Sequence, residues 1–183
     1  MIKKKALFYN EMNGFYSRIQ KLANVKNTSL MGYVIQKITN NFLTLLADFS
    51  PFGWLRVFFH RKRGVKIGKN VSLASNMVLE RAFPEYIIIE DKVAFGPGVI
   101  VITHSLPASH FKGKIMPHVS PVIFKTGSWI GAYSIILPGC IIGKNSIVSA
   151  GSVVVNAVPD NCIVQGNPAQ ITHRFSDKDK NSK

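Results

Sequence analysis

The sequence predicts a mainly β protein, a parallel β-helix built from six-residue repeats and preceded by a basic helical extension. Three observations lead there. From Phe124 onward a large apolar residue recurs at every sixth position: Ile130, Ile136, Ile142, Val148 and Val154. Four positions after each of the first five stands a small residue: Ser128, Ser134, Cys140, Ser146 and Ser152. An earlier block keeps the period at Ile67, Leu73 and Leu79, then at Ile89 and Phe95, with Val71, Met77, Val93 and Val99 at a second apolar position. A short fixed period of this kind marks a solenoid in which each unit is one flat strand plus one corner.

Three units close one triangular coil. The large residue fills the inside of each strand, and the small one lets the chain turn without clashing with the next coil. Residues eighteen apart then stack at roughly 4.8 Å, the spacing of hydrogen-bonded strands. Cys140, among corner serines, is therefore a buried filler and not a nucleophile. Stacking puts Trp129 and Ile147 on one outward face and Ile135 and Val153 on another. Such apolar faces are expected to be covered by further copies of the chain in a closed cyclic homo-oligomer. Ala132 falls below Ala150, beside Gly131 and Gly151, making a strip almost free of side chains where a thin ligand could reach backbone amides.

The rhythm breaks twice. Four extra residues lie near RAFP after Leu79, and THSLPASHFKGKIMPHVSP (103–121) interrupts the repeat with His104, His110 and His118.

Residues 1–63 read differently. Thr28 or Ser29 can cap a helix to about Phe49, with Met31, Val34, Ile35, Ile38, Phe42, Leu45 and Leu46 at helical spacing. A second helix is expected with Ser50 as N-cap, Pro51 at its first position, Arg61, Lys62 and Arg63 in its last turn and Gly64 beyond it. Its apolar face would be Phe52, Leu55, Phe58 and Phe59, and its basic end suits peripheral contact with an anionic membrane or simple packing on the main domain. Residues 64–175 form the solenoid and 176–183 a polar tail.

The formal charge is +14, and residues 1–64 contribute eleven Lys/Arg against Glu11 and Asp48. That balance implies an anionic partner. Nucleic acid is not expected, because no base-reading motif accompanies the charge. Two cysteines are too few for a disulfide framework, so a reducing cytoplasm is the default location. The apolar run after MIKKK is too short for a signal peptide, and the stretch 41–59 carries Asp48, Pro51 and Arg56, which argues against a spanning helix.

The elements W-I-G, L-P-G, I-G-K-N-S, A-G-S-V-V and G-N-P-A, in that order over 127–170, closely resemble the hexapeptide-repeat acetyltransferases of sugars and polysaccharides, including the galactoside and colanic-acid enzymes. The resemblance covers about residues 64–175. It implies a left-handed coil, a homotrimer, and acetyl-CoA as co-substrate with no metal. It would run the pantetheine arm past Trp129, Gly131, Ala132, Ala150 and Gly151, with Asn156, Gly166 and Pro168 further along. Lys144, His173 and Arg174 are the candidates for the CoA phosphates; Gln170 and His173 stand near where some relatives carry arginines. The family's catalytic histidine leaves the helix in a T-H context, which here is VITHSLP and His104. An imidazole of pKa near ~6.5 can take the proton of a sugar hydroxyl as it attacks the thioester. Glu80, Glu85 or a main-chain carbonyl could orient it. Arg81, Glu85, His110 and His118 are candidates to contact a saccharide acceptor, of the kind found in surface polysaccharide, capsule or lipopolysaccharide biosynthesis.

Other readings follow from the same residues. Transfer to the amine of an amino sugar or antibiotic would use the same donor site. Three loop histidines raise a zinc lyase of the γ-carbonic anhydrase type, although His104 and His110 stand as H-x5-H where that family pairs ligands as H-x4-H. A non-catalytic solenoid binding an acidic glycan or membrane surface would also fit the charge.

Overall fold

The computed structural model describes residues 5–6, 28–106 and 114–176. A first strand, β1 (Lys5–Ala6), is followed by helices α1 (Leu30–Asp48) and α2 (Gly53–Lys62), and from there the chain is β. The extended segment at Lys5–Ala6 corrects the expectation that the N-terminal region is purely helical. No described helix is long and apolar enough to cross a membrane.

The solenoid has three faces. The first stacks β5 (Ala94–Phe95), β10 (Trp129–Ile130), β13 (Ile147–Val148) and β15 (Cys162–Gly166), with β16 (Ala169–Arg174) folded back antiparallel onto β15. The second stacks β3 (Val78–Leu79), β6 (Ile100–Val101), β11 (Ile135–Ile136) and β14 (Val153–Val154). The third stacks β2 (Lys66–Ile67), β4 (Ile87–Ile89), β9 (Val122–Phe124) and β12 (Ile141–Ile142). Within each face these strands run parallel.

The register follows the repeat. Trp129 pairs with Ile147, Ile135 with Val153, and Ile123 with Ile141, each eighteen apart. Across the RAFP insertion the offset widens by the four extra residues, as in Val78 with Ile100 and Lys66 with Ile88. One departure was not foreseen. Ile147 pairs with Ile163, so the last coil is two residues short, and its third face shrinks to a single bridge between Ile142 and Val158.

Phe124, Ile130, Ile136, Ile142 and Val148 are fully buried and join Leu73, Leu79, Ile89 and Phe95 in one core. Corner residues tie coils together as well as saving space. The Ser134 hydroxyl donates to Ser149 O at 3.1 Å, and the Ser146 hydroxyl to Pro159 O at 2.6 Å. Cys140 is buried in its corner, and burial pushes its thiol up to about 11, so it is no nucleophile at neutral pH.

Ser29 caps α1, accepting from the Gly32 N–H at 3.1 Å. The helical periodicity is real, but the packing is the reverse of the usual one. Met31, Ile35, Ile38, Phe42 and Leu45 are exposed, while Tyr33, Asn40, Thr44 and Ala47 are buried. The cause is what the helix meets: a buried arginine, Arg63, whose Nη1 donates to the Thr44 hydroxyl at 2.7 Å. A buried charge needs polar partners, so the polar side of α1 turns inward.

The expected start of α2 is corrected too. Ser50 does not cap it; its hydroxyl donates to Leu46 O at 2.5 Å, and Pro51 lies before the helix, which begins at Gly53 after Phe52. α2 buries Val57 and His60, leaving Phe52 and Phe58 exposed. Its basic residues grip the first coil. Arg56 Nε donates to Leu73 O at 2.9 Å, and Arg61 donates to Ile67 O at 3.2 Å and to Gly68 O.

Candidate functional site

After β6 the chain leaves the solenoid as an antiparallel hairpin of β7 (His104–Ser105) and β8 (His118–Val119), and β1 lies along the outer edge of β8. His110 lies outside the described residues. His104 pairs with Val119 and Ser105 with His118. Successive strand residues alternate sides, so the two described histidines of this hairpin face opposite ways. His118 Nδ1 lies 3.3 Å from Met116 O, away from His104.

His104 meets Glu80. Nδ1 of the imidazole is 2.5 Å from Glu80 Oε2. Glu80 follows β3 directly, and its carboxylate also accepts from the Thr103 N–H at 3.2 Å and from the Ala82 N–H at 2.8 Å. Burial pushes this carboxyl up, but the hydrogen bond and charge of His104 and the two backbone donors outweigh it and pull the pKa down to about 2. An ionised carboxylate on Nδ1 fixes the proton there and leaves Nε2 as the proton acceptor. Phe83 packs edge-on against the ring at a centroid distance of 5.8 Å. Of the carboxylates left open by the sequence, Glu80 makes the contact; Glu85 sits in the 3-10 turn Pro84–Tyr86.

Glu80 is itself held from behind. Arg63 Nη2 donates to Leu79 O and Glu80 O, both at 2.8 Å. Burial lowers this guanidinium, with Arg81 adding to the effect, to a pKa of about 10, which still leaves it charged at neutral pH. The sequence offered Arg63 only as a helix-end cation. No local pattern distinguishes an arginine that turns inward from one that does not.

The other candidates fall on different edges of the triangle. Gly131, Ala132, Ala150 and Gly151 line the edge between the first and second faces. At Gly131 the coils pack closely, since a Cβ there would lie 2.5 Å from Ala150 N and 2.7 Å from Val148 O, while Gly151 has open space around it. The glycine amides are already committed, Gly131 N–H to Val148 O at 2.7 Å and Gly151 N–H to Ala132 O at 2.8 Å. Those of Ala132 and Ala150 make no such bond among the described residues, so the alanines are the available donors. Trp129 stands 55% exposed beside them.

Asn156 lies on the edge between the second and third faces, as do Glu80 and His104. Lys144 is on the remaining edge, its N–H donating to Asp160 Oδ1 at 2.8 Å, and Arg174, opposite Cys162, and His173, opposite Ile163, sit toward that end of the first face. Gly166 and Pro168 form the β15–β16 turn. Arg81 is exposed on the strap after Glu80. Within one chain the amide strip and His104 are therefore on separate edges. Among the described residues, no three metal-ligating side chains gather.

Comparison with known proteins agrees with this architecture. The family model described as bacterial transferase hexapeptide (six repeats) matches residues 122–156. "Putative acetyltransferase YvoF" of Bacillus subtilis is 31% identical over 142 residues, covering 75% of this chain and 77% of that protein. Galactoside O-acetyltransferase of Lactococcus lactis is 33% identical over 117 residues, 61% of this chain; the match spans only 56% of that enzyme's length. Among solved structures, the hexapeptide-repeat acetyltransferase VCA0836 of Vibrio cholerae superposes with a TM-score of 0.67 at 24% identity, over 79% of this chain and 93% of that one.

Proposed function

The chain belongs to the hexapeptide-repeat acetyltransferase family, whose fold is the left-handed β-helix, and from that premise we propose that it transfers acetyl from acetyl-CoA to a saccharide hydroxyl with His104 as general base. The observation that carries this reading is the Glu80–His104 pair at the exit from the solenoid. Nε2 of His104 takes the proton of the acceptor hydroxyl as its oxygen bonds to the acetyl carbonyl carbon. The imidazolium that results is stabilised by Glu80, and its proton passes to the departing thiolate sulfur as the carbon–sulfur bond breaks. The N–H groups of Ala132 and Ala150 suit the developing negative charge on the carbonyl oxygen. Trp129, Gly131 and Gly151 would flank the pantetheine arm, with Gly166 and Pro168 beyond on the same edge and Asn156 on the edge that carries His104, whereas Lys144, His173 and Arg174, expected to take the phosphates, lie toward the remaining edge, off that groove.

These groups converge only if an edge of one copy faces a different edge of another, so the reading includes a homotrimer. The exposed Trp129 and the outward Ile135, Ile147 and Val153 supply its apolar contact. It also places the enzyme in surface polysaccharide, capsule or lipopolysaccharide synthesis in the cytoplasm. The uncovered α1 stripe (Met31, Ile35, Ile38, Phe42 and Leu45) supports peripheral contact with the membrane. The test is release of CoA thiol from acetyl-CoA by the purified protein across a panel of sugars. His104→Ala should lower turnover about 10²–10⁴-fold with CoA binding retained; near-normal turnover in that variant overturns the assignment of the base, and no transfer to any sugar overturns the activity.

A further inference from the structure

The polar side of α1 and the strap that follows Glu80 border a partly open cavity of about 240 Å³. Its walls include Tyr33, Lys37, Asn40 and Asn41 of α1 and Arg81 and Ala82 of the strap. Tyr33 and Asn40 are buried as residues, 5% and 6% exposed, but the phenol and the side-chain amide make no hydrogen bond among the described residues and are not among the polar atoms shut off from solvent, so they open into the cavity. Polar atoms that open into a shared cavity offer hydrogen bonds to a polar occupant. The volume is below the roughly 300–1,000 Å³ of pockets for drug-sized ligands and suits a single sugar ring.

Charge narrows the class. Lys37 and Arg81 bring two cations to the walls, and Asp48, within electrostatic reach of Arg81, offsets part of one. The balance still favours an anion. Position ties the cavity to the chemistry. Ala82, in its wall, donates its N–H to Glu80 Oε1 at 2.8 Å, and two residues of chain span at most about 7 Å.

Resting on the acetyltransferase reading, we propose that this cavity seats an acidic group of the acceptor saccharide. The carboxylate of a uronic-type sugar or the phosphate of a sugar phosphate would lie between Lys37 and Arg81, with ring hydroxyls on Asn40 and Tyr33. This makes the α1 face a specificity element.

The experiment measures binding by calorimetry on the full chain, without acetyl-CoA. Galacturonate, glucuronate and galactose 1-phosphate are compared with galactose, glucose and inorganic phosphate. At least one acidic sugar is expected to bind ten-fold or more tightly than its neutral parent and than inorganic phosphate, and Lys37→Ala and Arg81→Ala, both at exposed positions, should each remove most of that preference. Which acidic sugar wins separates carboxylate from phosphate recognition. Equal binding of acidic and neutral sugars, a preference that survives both substitutions, or binding of inorganic phosphate alone overturns the proposal. Acetyl transfer is assayed in parallel. Transfer without charge preference defeats this inference and spares the enzymatic reading, while charge-dependent binding without any transfer does the reverse.

Discussion

The Arg63 guanidinium donates to the main-chain oxygen of Glu80 at 2.8 Å, joining the last residue before the helix-to-solenoid turn to the residue that holds the His104 imidazole. The same guanidinium reaches Thr44 in α1. Thr44→Val removes that one partner and should lower stability by about 1.5–3 kcal/mol. Arg63→Met removes the charge together with its bonds to Leu79 and Glu80, and should also reduce turnover, because the Glu80 backbone loses its anchor. Thermal melts and kcat on both variants check this; an Arg63→Met protein with full activity would show the anchor to be structural only.

Glu80→Gln keeps the shape of the side chain but loses the charge that, in the proposed mechanism, stabilises a His104 imidazolium. We expect kcat to fall by about 10²-fold, with the KM for acetyl-CoA nearly unmoved. The pH profile is informative as well. Because the Glu80 carboxyl is held near 2, an acid limb between pH 5 and 8 in the wild-type protein would not report Glu80.

His60 should make the fold acid-sensitive. It is buried in α2, its Nδ1 has no hydrogen-bond partner among the described residues, and burial, with Arg63 and Arg56 adding to it, lowers its pKa to about 3. Between that value and the unfolded 6.5 the unfolded chain binds the extra proton. The stabilising contribution is thus complete above pH 6.5 and declines as pH falls toward 3, by up to about 1.4 kcal/mol per unit. Glu80 adds a second loss lower down, since its depressed pKa contributes stability above about 4.5 that disappears on approach to 2. Denaturation midpoints from pH 8 to 4 should slope down in the wild type and flatten in His60→Gln.

Two glycines separate packing from backbone conformation. A Cβ on Gly143 would overlap the Pro159 carbonyl and the Asp160 amide of the adjoining coil, both backbone and unable to step aside. Gly151 has open space around it, but its φ is +70°. Gly143→Ala should cost more than about 3 kcal/mol and spread the coils, whereas Gly151→Ala should cost only about 1–2 kcal/mol of left-handed strain. Equal losses in denaturant titrations would contradict this account of the corners.

Assembly is tested at Trp129. If its exposed indole is covered by another copy, Trp129→Glu should shift the mass measured by light scattering from three chains to one and remove acetyl transfer with it. An unchanged trimer would place the contact elsewhere.

The solenoid was legible from the sequence because its determinants are local and repeated. An inward aliphatic every six residues and a small residue at each corner leave the chain one way to bury its apolar surface, and the observed partners Trp129–Ile147 and Ile135–Val153 follow from that count alone. The excursion that carries His104 was legible too, as the place where the period fails, while the choice of His104 within it came from the family resemblance. What the period could not carry was anything set by the approach of distant segments. The choice of Glu80 as partner to His104, the inward turn of Arg63 and the docking of α1 by its polar side each depend on buried charges finding partners across the fold. Helical spacing places an apolar stripe on a helix but does not say which side the rest of the molecule will take. Here the cost of leaving a guanidinium unpaired in the interior decided it, and only the tertiary structure holds that information.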